Sequence, residues 1–301
     1  MRATRSRAHI ALASCATLPE LDEDERLVVG PLQQAGARVT PAVWDDATID
    51  WDAFDLVVVR STWDYTARRE QFVAWARSVP RLANPAEVIA WNTDKRYLAD
   101  LHALGLPTVP TRWFGAGDPL ELPAAGVHVI KPSVGAGSLD VERFELADAT
   151  ERAAARAHAE RLLGEGRTVM VQPYLESVDR AGEAGLVLLH GEHSHSITKG
   201  PMLGGGREPV AGLYKSETID ARVPSAVEMD LARRTIAALP FDRSELLYAR
   251  VDMLADEAGQ PIIIELELTE PSLFLATAPG AEERFAAAIL DAAQRSRSGQ
   301  D

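Results

Sequence analysis

Two short segments near the carboxyl end hold the residues best suited to chemistry, Arg250-Val251-Asp252-Met253 and Ile264-Glu265-Leu266-Glu267-Leu268. Alternate side chains of an extended strand share a face, so Arg250 points with Asp252 and Glu265 with Glu267. If the two strands pair, four charged groups converge. Two or three carboxylates beside an open position suit Mg2+, which keeps waters and takes its remaining ligands from substrate phosphates. The competing reading is a solvated sheet face, ordinary for alternating strands. Against it, Ile262 to Ile264 on entry to the second strand suggests a buried sheet, where unpaired carboxylates are costly.

A second signal is Lys131, at the end of a strand-like run and followed by Ser133-Val134-Gly135-Ala136-Gly137-Ser138. Such a small-residue loop lets backbone N–H groups approach a phosphate while the lysine supplies a point charge. It is neither a Walker sequence nor a dinucleotide fingerprint, because Gly137 is followed by Ser138-Leu139-Asp140 rather than a third glycine. A plain turn is the alternative. Other features are weaker. Cys15 reads as a small buried hydrophobe before it reads as a nucleophile. His190, His193 and His195 lie on a hairpin without a thiolate or an acidic third strand, which argues against zinc. Trp63 and Tyr65 suit packing and ligand contact equally.

The chain around these residues is 301 long, with 46% in the apolar set, 25% charged and 6% aromatic, an ordinary globular composition. That length suggests two or three domains, and a cleft between domains is a natural site. Basic residues number 31 and acidic ones 45, a formal charge of −14. Nucleic acid is thereby an unfavourable partner, since duplex binding needs a basic face, although a bound metal can turn carboxylates into an anion site. A single cysteine, Cys15, excludes an intrachain disulfide framework and a thiolate zinc cluster, and reads as a reducing compartment. Arg2, Arg5 and Arg7 ahead of Ile10 to Ala13 look superficially like an export signal, but such a signal needs about 7 to 15 apolar residues. No run approaches the ~18 apolar residues of a membrane span. A soluble cytoplasmic protein with no membrane partner is expected.

The elements that must position the charged groups follow from periodicity. The first third alternates strand and helix periods, predicting a mostly parallel sheet flanked by helices: strands over Ile10–Ser14, Arg38–Trp44 and Leu56–Val59, and helices over Leu21–Ala35 and Arg69–Val79. Arg60 to Tyr65 then follow a strand's carboxyl end, where open α/β sheets bind ligands. Beyond residue 91 a helix is expected from Asn92 to His102 with Asn92 or Thr93 as N-cap. It is followed by a strand over Val127–Ile130, a helix over Thr150–Leu163 with Asp148 and Glu151 spaced as a capping box, and a strand over Val169–Gln172. The last third predicts a hairpin of Leu186–Leu189 and His193–Lys199, a glycine loop at Gly204–Gly206, a helix over Glu228–Leu239, paired strands over Leu247–Leu254 and Pro261–Leu268, and a closing helix over Glu282–Gln294.

In this order the pieces resemble the ATP-grasp superfamily over nearly the whole chain. Asn92 to Lys95 look like the lysine entry to its central domain, Val129-Ile130-Lys131-Pro132 like the strand of the second phosphate lysine, and Ser133 to Ser138 like its phosphate loop. Val171-Gln172-Pro173-Tyr174-Leu175 is similar to the adenine hinge, and Glu183 to the ribose acid. Arg250, Asp252, Glu265 and Glu267 match the arginine and Mg2+ ligands, with one departure: Glu265-Leu266-Glu267 stands where Glu-x-Asn is usual, which adds a negative charge beside the nucleotide. Ser61-Thr62-Trp63-Asp64-Tyr65, Ser194-His195, Lys199-Gly200-Pro201 and Glu267-Leu268-Thr269-Glu270-Pro271-Ser272 look like a glutathione-synthetase-like bacterial subgroup, whose best-understood member closes O-ureido-D-serine into the ring of D-cycloserine, an antibiotic.

The resemblance implies an α/β fold, α+β in the ATP-grasp part, in three domains: a parallel-sheet substrate domain over 1–91, a central lid domain over 92–173 and a C-terminal metal and catalytic domain over 174–301. It further implies an ADP-forming carboxylate–amine ligase acting through an acyl phosphate, with ATP and Mg2+ or Mn2+ as cofactors and a small acid and an amine as substrates. ATP would be held by Lys95, Lys131, Ser133, Gly135, Gly137, Ser138, Gln172, Pro173, Tyr174, Leu175 and Glu183, and the metal by Asp252, Glu265 and Glu267. Arg250 and Lys199 would be catalytic, and Arg60, Thr62, Asp64, Arg207 and Glu270 would face substrate. Gly204–Gly206 with Arg207 and Lys215 would form a lid. A small-molecule kinase or a non-catalytic nucleotide binder are the alternatives, and a homo-oligomer is expected.

Overall fold

The computed structural model describes residues 7–200 and 218–298. The chain opens with β1 (His9–Ser14), α1 (Val29–Gln34), β2 (Arg38–Val43), β3 (Leu56–Val59), α2 (Arg69–Ser78), β4 (Leu82–Ala83), α3 (Ala86–Asn92) and α4 (Tyr97–Ala103). The strands form one parallel sheet in the order β2-β1-β3-β4. All four residues of β3 are buried, as a parallel strand covered on both faces requires.

Next come β5 (Arg112–Phe114), β6 (Val127–Pro132), β7 (Glu142–Glu145), α5 (Ala149–Gly164) and β8 (Val169–Pro173), whose strands form an antiparallel sheet in the order β5-β8-β6-β7. α5 starts where Asp148 accepts from the amides of Thr150 and Glu151. The remainder is α6 (Ser177–Ala181), β9 (Glu183–Leu189), β10 (Glu192–Lys199), β11 (Ile219–Arg222), α7 (Ala226–Ala237), β12 (Tyr248–Ala255), β13 (Pro261–Glu267) and α8 (Ala281–Ser298), with an antiparallel sheet ordered β11-β10-β9-β12-β13. Ser225 and Glu228 close a reciprocal capping box at α7. The expected fold class is present: a parallel α/β sheet followed by two antiparallel α+β layers.

Four apolar clusters fill the layers. α8 returns to the first sheet, where Phe285 and Ile289 pack with Ile10, Leu12 and Val58 and with Tyr248 of β12. α7 and α4 cover one face of the large sheet, Trp44, Phe72 and Trp75 pack the other face of the first sheet, and α5 covers the second. None of the described helices is long and apolar enough to cross a membrane.

Two helices differ from expectation. The segment from Leu21 is not helical until Glu25, because Leu21 has φ 68° and Asp22 turns the chain by accepting from the Asp24 amide. The helix expected from Asn92 to His102 is instead two helices broken at Thr93–Arg96. Asn92 ends the first rather than capping the second. Its amide is committed elsewhere, donating to Leu266 O and accepting from the Leu268 amide. β13 is thereby no bare edge: Asn92, the Tyr97 hydroxyl and the backbone at Pro107 and Val109 all bond along it.

Candidate active site

β12 and β13 pair antiparallel with Arg250 opposite Glu267 and Asp252 opposite Glu265, so the four charged groups do share one face. On the other flank of β12, Asp252 lies opposite Gly185. A Cβ at Gly185 would stand 3.1 Å from Asp252 Oδ1 and 2.9 Å from Ile197 Cδ1. The glycine makes room for a carboxylate that is fully buried.

That carboxylate is saturated. Arg250 Nε and Nη2 donate to its two oxygens, each at 2.8 Å, and Lys199 Nζ donates to Oδ2 at 2.8 Å. Lys199 also pairs with Glu183, and Arg250 with Glu267. Burial opposes ionisation of Asp252, but Arg250 and Lys199 outweigh it and hold the carboxyl well below its usual range. Burial and Arg250 both oppose the charge on Lys199, and Asp252 and Glu183 overcome them, holding the ammonium well above its ordinary value. Glu267 goes the other way: burial exceeds the pull of Arg250 and lifts it to about 8.

A cleft of about 640 Å3 opens over this network at the junction of the three sheets. The second sheet contributes Lys131, Gln172 and Pro173, and the loop after β6 contributes Gly135, Ala136, Gly137 and Ser138. The large sheet contributes Lys199, Arg250, Glu265 and Glu267. Gly137 and Ser138 both have φ 61°, a bend that turns the loop back over the cleft. Lys95 Nζ reaches Glu265 Oε1 at 2.9 Å and Gly135 O at 2.6 Å, joining the loop to β13. Burial lowers the Lys131 ammonium, with Lys95 adding to that effect and Glu265 opposing it. A desolvated cation aimed into a cleft is a ready partner for an anion.

The structure brings together Lys95, Lys131, Gly135, Gly137, Ser138, Gln172, Pro173, Tyr174, Leu175, Glu183, Lys199, Arg250, Glu265, Glu267 and Glu270 on one cavity wall. Asp252 and Ser133 lie behind it: Asp252 beneath Arg250 and Lys199, and Ser133 bonded to Asp94. Arg60, Thr62 and Asp64 also lie off the wall. Arg60 is fully buried and bonds both oxygens of Glu25, Thr62 is fully buried, and Asp64 bonds Trp44 Nε1 at 2.9 Å and Arg68. Arg207 and the lid segment with Lys215 lie outside the described residues. Wall positions that sequence reasoning missed include Asp22, Asp24 and Phe274, and Asn92 and Ser272, which it placed only in a helix cap or within longer motifs, line the cavity as well. Trp63 and Tyr65, left balanced between packing and contact, line the cavity.

Mg2+ fits the donors present. Glu265 and Glu267 are hard oxygen donors on one face of β13, with side chains about a quarter exposed, 26% and 24%. No three His, Cys, Asp or Glu side chains are grouped as a ready cage among the described residues. Mg2+ does not need one, being held by one or two carboxylates plus phosphates.

Antiparallel sheets closing on a cleft lined by two lysines, an arginine and paired carboxylates define an ATP-grasp fold. The comparisons with known proteins narrow this. Residues 10–84 match the model of the D-cycloserine synthetase DcsG N-terminal domain. The chain is 35% identical to the cycloserine biosynthesis protein DcsG of Streptomyces lavendulae over 304 residues, 94% of this chain and 98% of that protein. It is similar to the crystal structure of D-cycloserine synthetase DcsG at a TM-score of 0.82 and 33% identity, over 96% of this chain and 100% of that one. D-alanine–D-alanine ligase of Bacillus anthracis, solved with ATP, shares the fold at a TM-score of 0.64 and 14% identity, over 98% and 100% of the two chains. The chain belongs to the DcsG family of ATP-grasp ligases.

Proposed function

We propose that the chain is an ADP-forming carboxylate–amine ligase that activates a small amino-acid-like acid as its acyl phosphate. The observation that carries this is the meeting of Lys95, Lys131, Arg250, Glu265 and Glu267 on a single cleft. ATP lies with its adenine along Gln172 to Leu175 and its phosphates under the Gly135 to Ser138 loop, where Lys95 and Lys131 offset their charge. Glu265 and Glu267 would hold Mg2+, while Asp252, its oxygens taken by Arg250 and Lys199, would stand behind them; the ion would neutralise and orient the phosphate oxygens. The three domains 1–91, 92–173 and 174–301 each contain one sheet. The first domain supplies Trp63 and Tyr65 to the substrate end, and Arg207 belongs to the same reading.

A substrate carboxylate oxygen attacks the γ-phosphorus, the bond to the β-phosphate oxygen breaks, and ADP leaves. The step requires alignment and charge compensation more than covalent help from the protein. A nitrogen nucleophile then attacks the acyl carbon, a proton leaves that nitrogen, and phosphate departs with the former carboxylate oxygen. Arg250, fixed by Asp252 and stacked 5.3 Å from the Phe274 ring, faces the oxyanion that forms between these two bonds. The burial of the cleft floor keeps water from the acyl phosphate.

The family relationship makes ring closure of O-ureido-D-serine to D-cycloserine the first reaction to test: the oxygen-linked nitrogen displaces phosphate from the acyl carbon, and water takes up the carbamoyl group carried on that nitrogen, which leaves as carbon dioxide and ammonia. A coupled ADP-release assay with that acid is expected to give ADP and phosphate together with the ring. AMP and pyrophosphate would indicate an adenylating enzyme, and ADP with a stable phosphorylated product a kinase. A cytoplasmic location suits the single buried Cys15, and a homo-oligomer completes the reading.

A further inference from the structure

After β13 the chain runs through Thr269 to Phe274 along one end of the cleft, and five consecutive carbonyls there are taken by side chains from other elements. The Tyr248 hydroxyl donates to Thr269 O at 2.8 Å and Trp63 Nε1 to Glu270 O at 3.2 Å. Arg60 Nη2 donates to Pro271 O, and Arg250 Nη1 to Ser272 O at 2.7 Å. His195 Nε2 is 2.6 Å from Leu273 O. Just beyond, the Asp24 carboxylate accepts from the amides of Leu275 and Ala276, both at 2.9 Å. Phe274 is held between these anchors at φ 52° and ψ 46°, a left-handed conformation that is costly for an aromatic residue and persists only where the surroundings over-determine it.

This framing fixes one functional side chain. Glu270 is 7% exposed, lines the cavity and is hydrogen-bonded by the Tyr65 hydroxyl. Among the described residues no lysine or arginine stands within ion-pair distance of its carboxylate, unlike Glu265, Glu267, Glu183 and Asp252. Lys95 and Arg60 act on Glu270 only from beyond that distance, and a buried carboxylate that faces a cavity without an ion pair is costly unless a cation arrives with the ligand. Arg250 on the same wall offers the opposite charge, and Trp63 and Phe274 form apolar sides that suit a compact molecule.

We propose that Glu270 is the specificity-determining residue that receives the α-ammonium group of the acid substrate, with its carboxylate held for that purpose by Tyr65 and by the five-carbonyl frame. The substrate class is then a zwitterionic α-amino acid, its ammonium on Glu270 and its carboxylate toward Arg250. The inference rests on the ligase reading above. A site whose buried polar group awaits a substrate N–H rejects the analogue lacking it far more strongly than a site that merely fits its shape.

The test compares O-ureido-D-serine with its desamino counterpart, 3-(ureidooxy)propionate, by ADP release from the full-length chain. The wild type is expected to use the desamino acid at a kcat/KM at least ~100-fold lower. Glu270→Gln is expected to raise KM for the amino acid about tenfold or more, with a smaller change in kcat, and to shrink the gap between the two acids. Glu270→Asp should recover part of the difference. Equal use of both acids by the wild type, or an undiminished gap in Glu270→Gln, overturns the assignment. The two failures are distinguishable: a chain that binds ATP in calorimetry yet releases no ADP with either acid overturns the ligase reading and this inference with it, whereas ADP release indifferent to the amino group overturns the inference alone.

Discussion

Glu265→Gln is expected to reduce ADP release about a thousandfold while leaving the melting temperature within a few degrees of the wild type. Electrostatic compensation by a metal held at a phosphoryl-transfer site is worth several kcal/mol, and each 1.36 kcal/mol is a factor of about ten in rate. The amide keeps the shape of the side chain and removes the charge that both Lys95 and a divalent ion require. Stability should change little, because the Glu265 side chain is partly exposed and Lys95 retains its bond to Gly135 O. Steady-state ADP release and a thermal melt check the two halves. A fully active variant would remove β13 from the metal site.

Arg60→Met is expected to lower stability by about 3–5 kcal/mol, the range for breaking a buried ion pair from one side. At roughly 2–4 °C per kcal/mol for a protein of this size or slightly smaller, the melt should fall by about 10 °C. Arg60 is fully buried and its partner Glu25 nearly so. Burial lifts the Glu25 carboxyl against the attraction of Arg60, so removing the guanidinium leaves a carboxylate that must ionise or protonate in an apolar setting. The guanidinium carbon also lies 4.9 Å from the Tyr248 ring centroid and 5.4 Å from that of Phe285. It ties the first sheet to β12 and α8. The double variant Glu25→Leu/Arg60→Met should recover more than half of the loss, since replacing both members of a buried pair by apolar groups is close to neutral. An unchanged melting temperature in the single variant would return Arg60 to the substrate contacts.

The contrast between Glu265 and Arg60 shows what sequence can carry. Residues whose role follows from strand alternation were legible: Arg250, Asp252, Glu265 and Glu267 share a face because period-two geometry requires it, and Lys131 ends β6 as its apolar run implied. Segments at loops were not, because the side chain's direction there depends on partners far along the chain. Arg60 points to Glu25 and to Pro271, contacts 35 and 211 residues away, and no local pattern announces either. Asn92 looked like a helix cap because the residue type favours caps, but the backbone of β13 outcompeted the helix for its amide. The short strands β4, β5 and β7, of two to four residues, carry too few positions for a period to register.

The acyl phosphate is the centre of this account, and an isotope transfer tests it most directly. O-Ureido-D-serine labelled with 18O in its carboxylate should deliver one labelled oxygen to inorganic phosphate per turnover, because the oxygen that attacks the γ-phosphorus leaves with it when nitrogen displaces it from carbon. Phosphate free of label, or label recovered in AMP, would contradict the account.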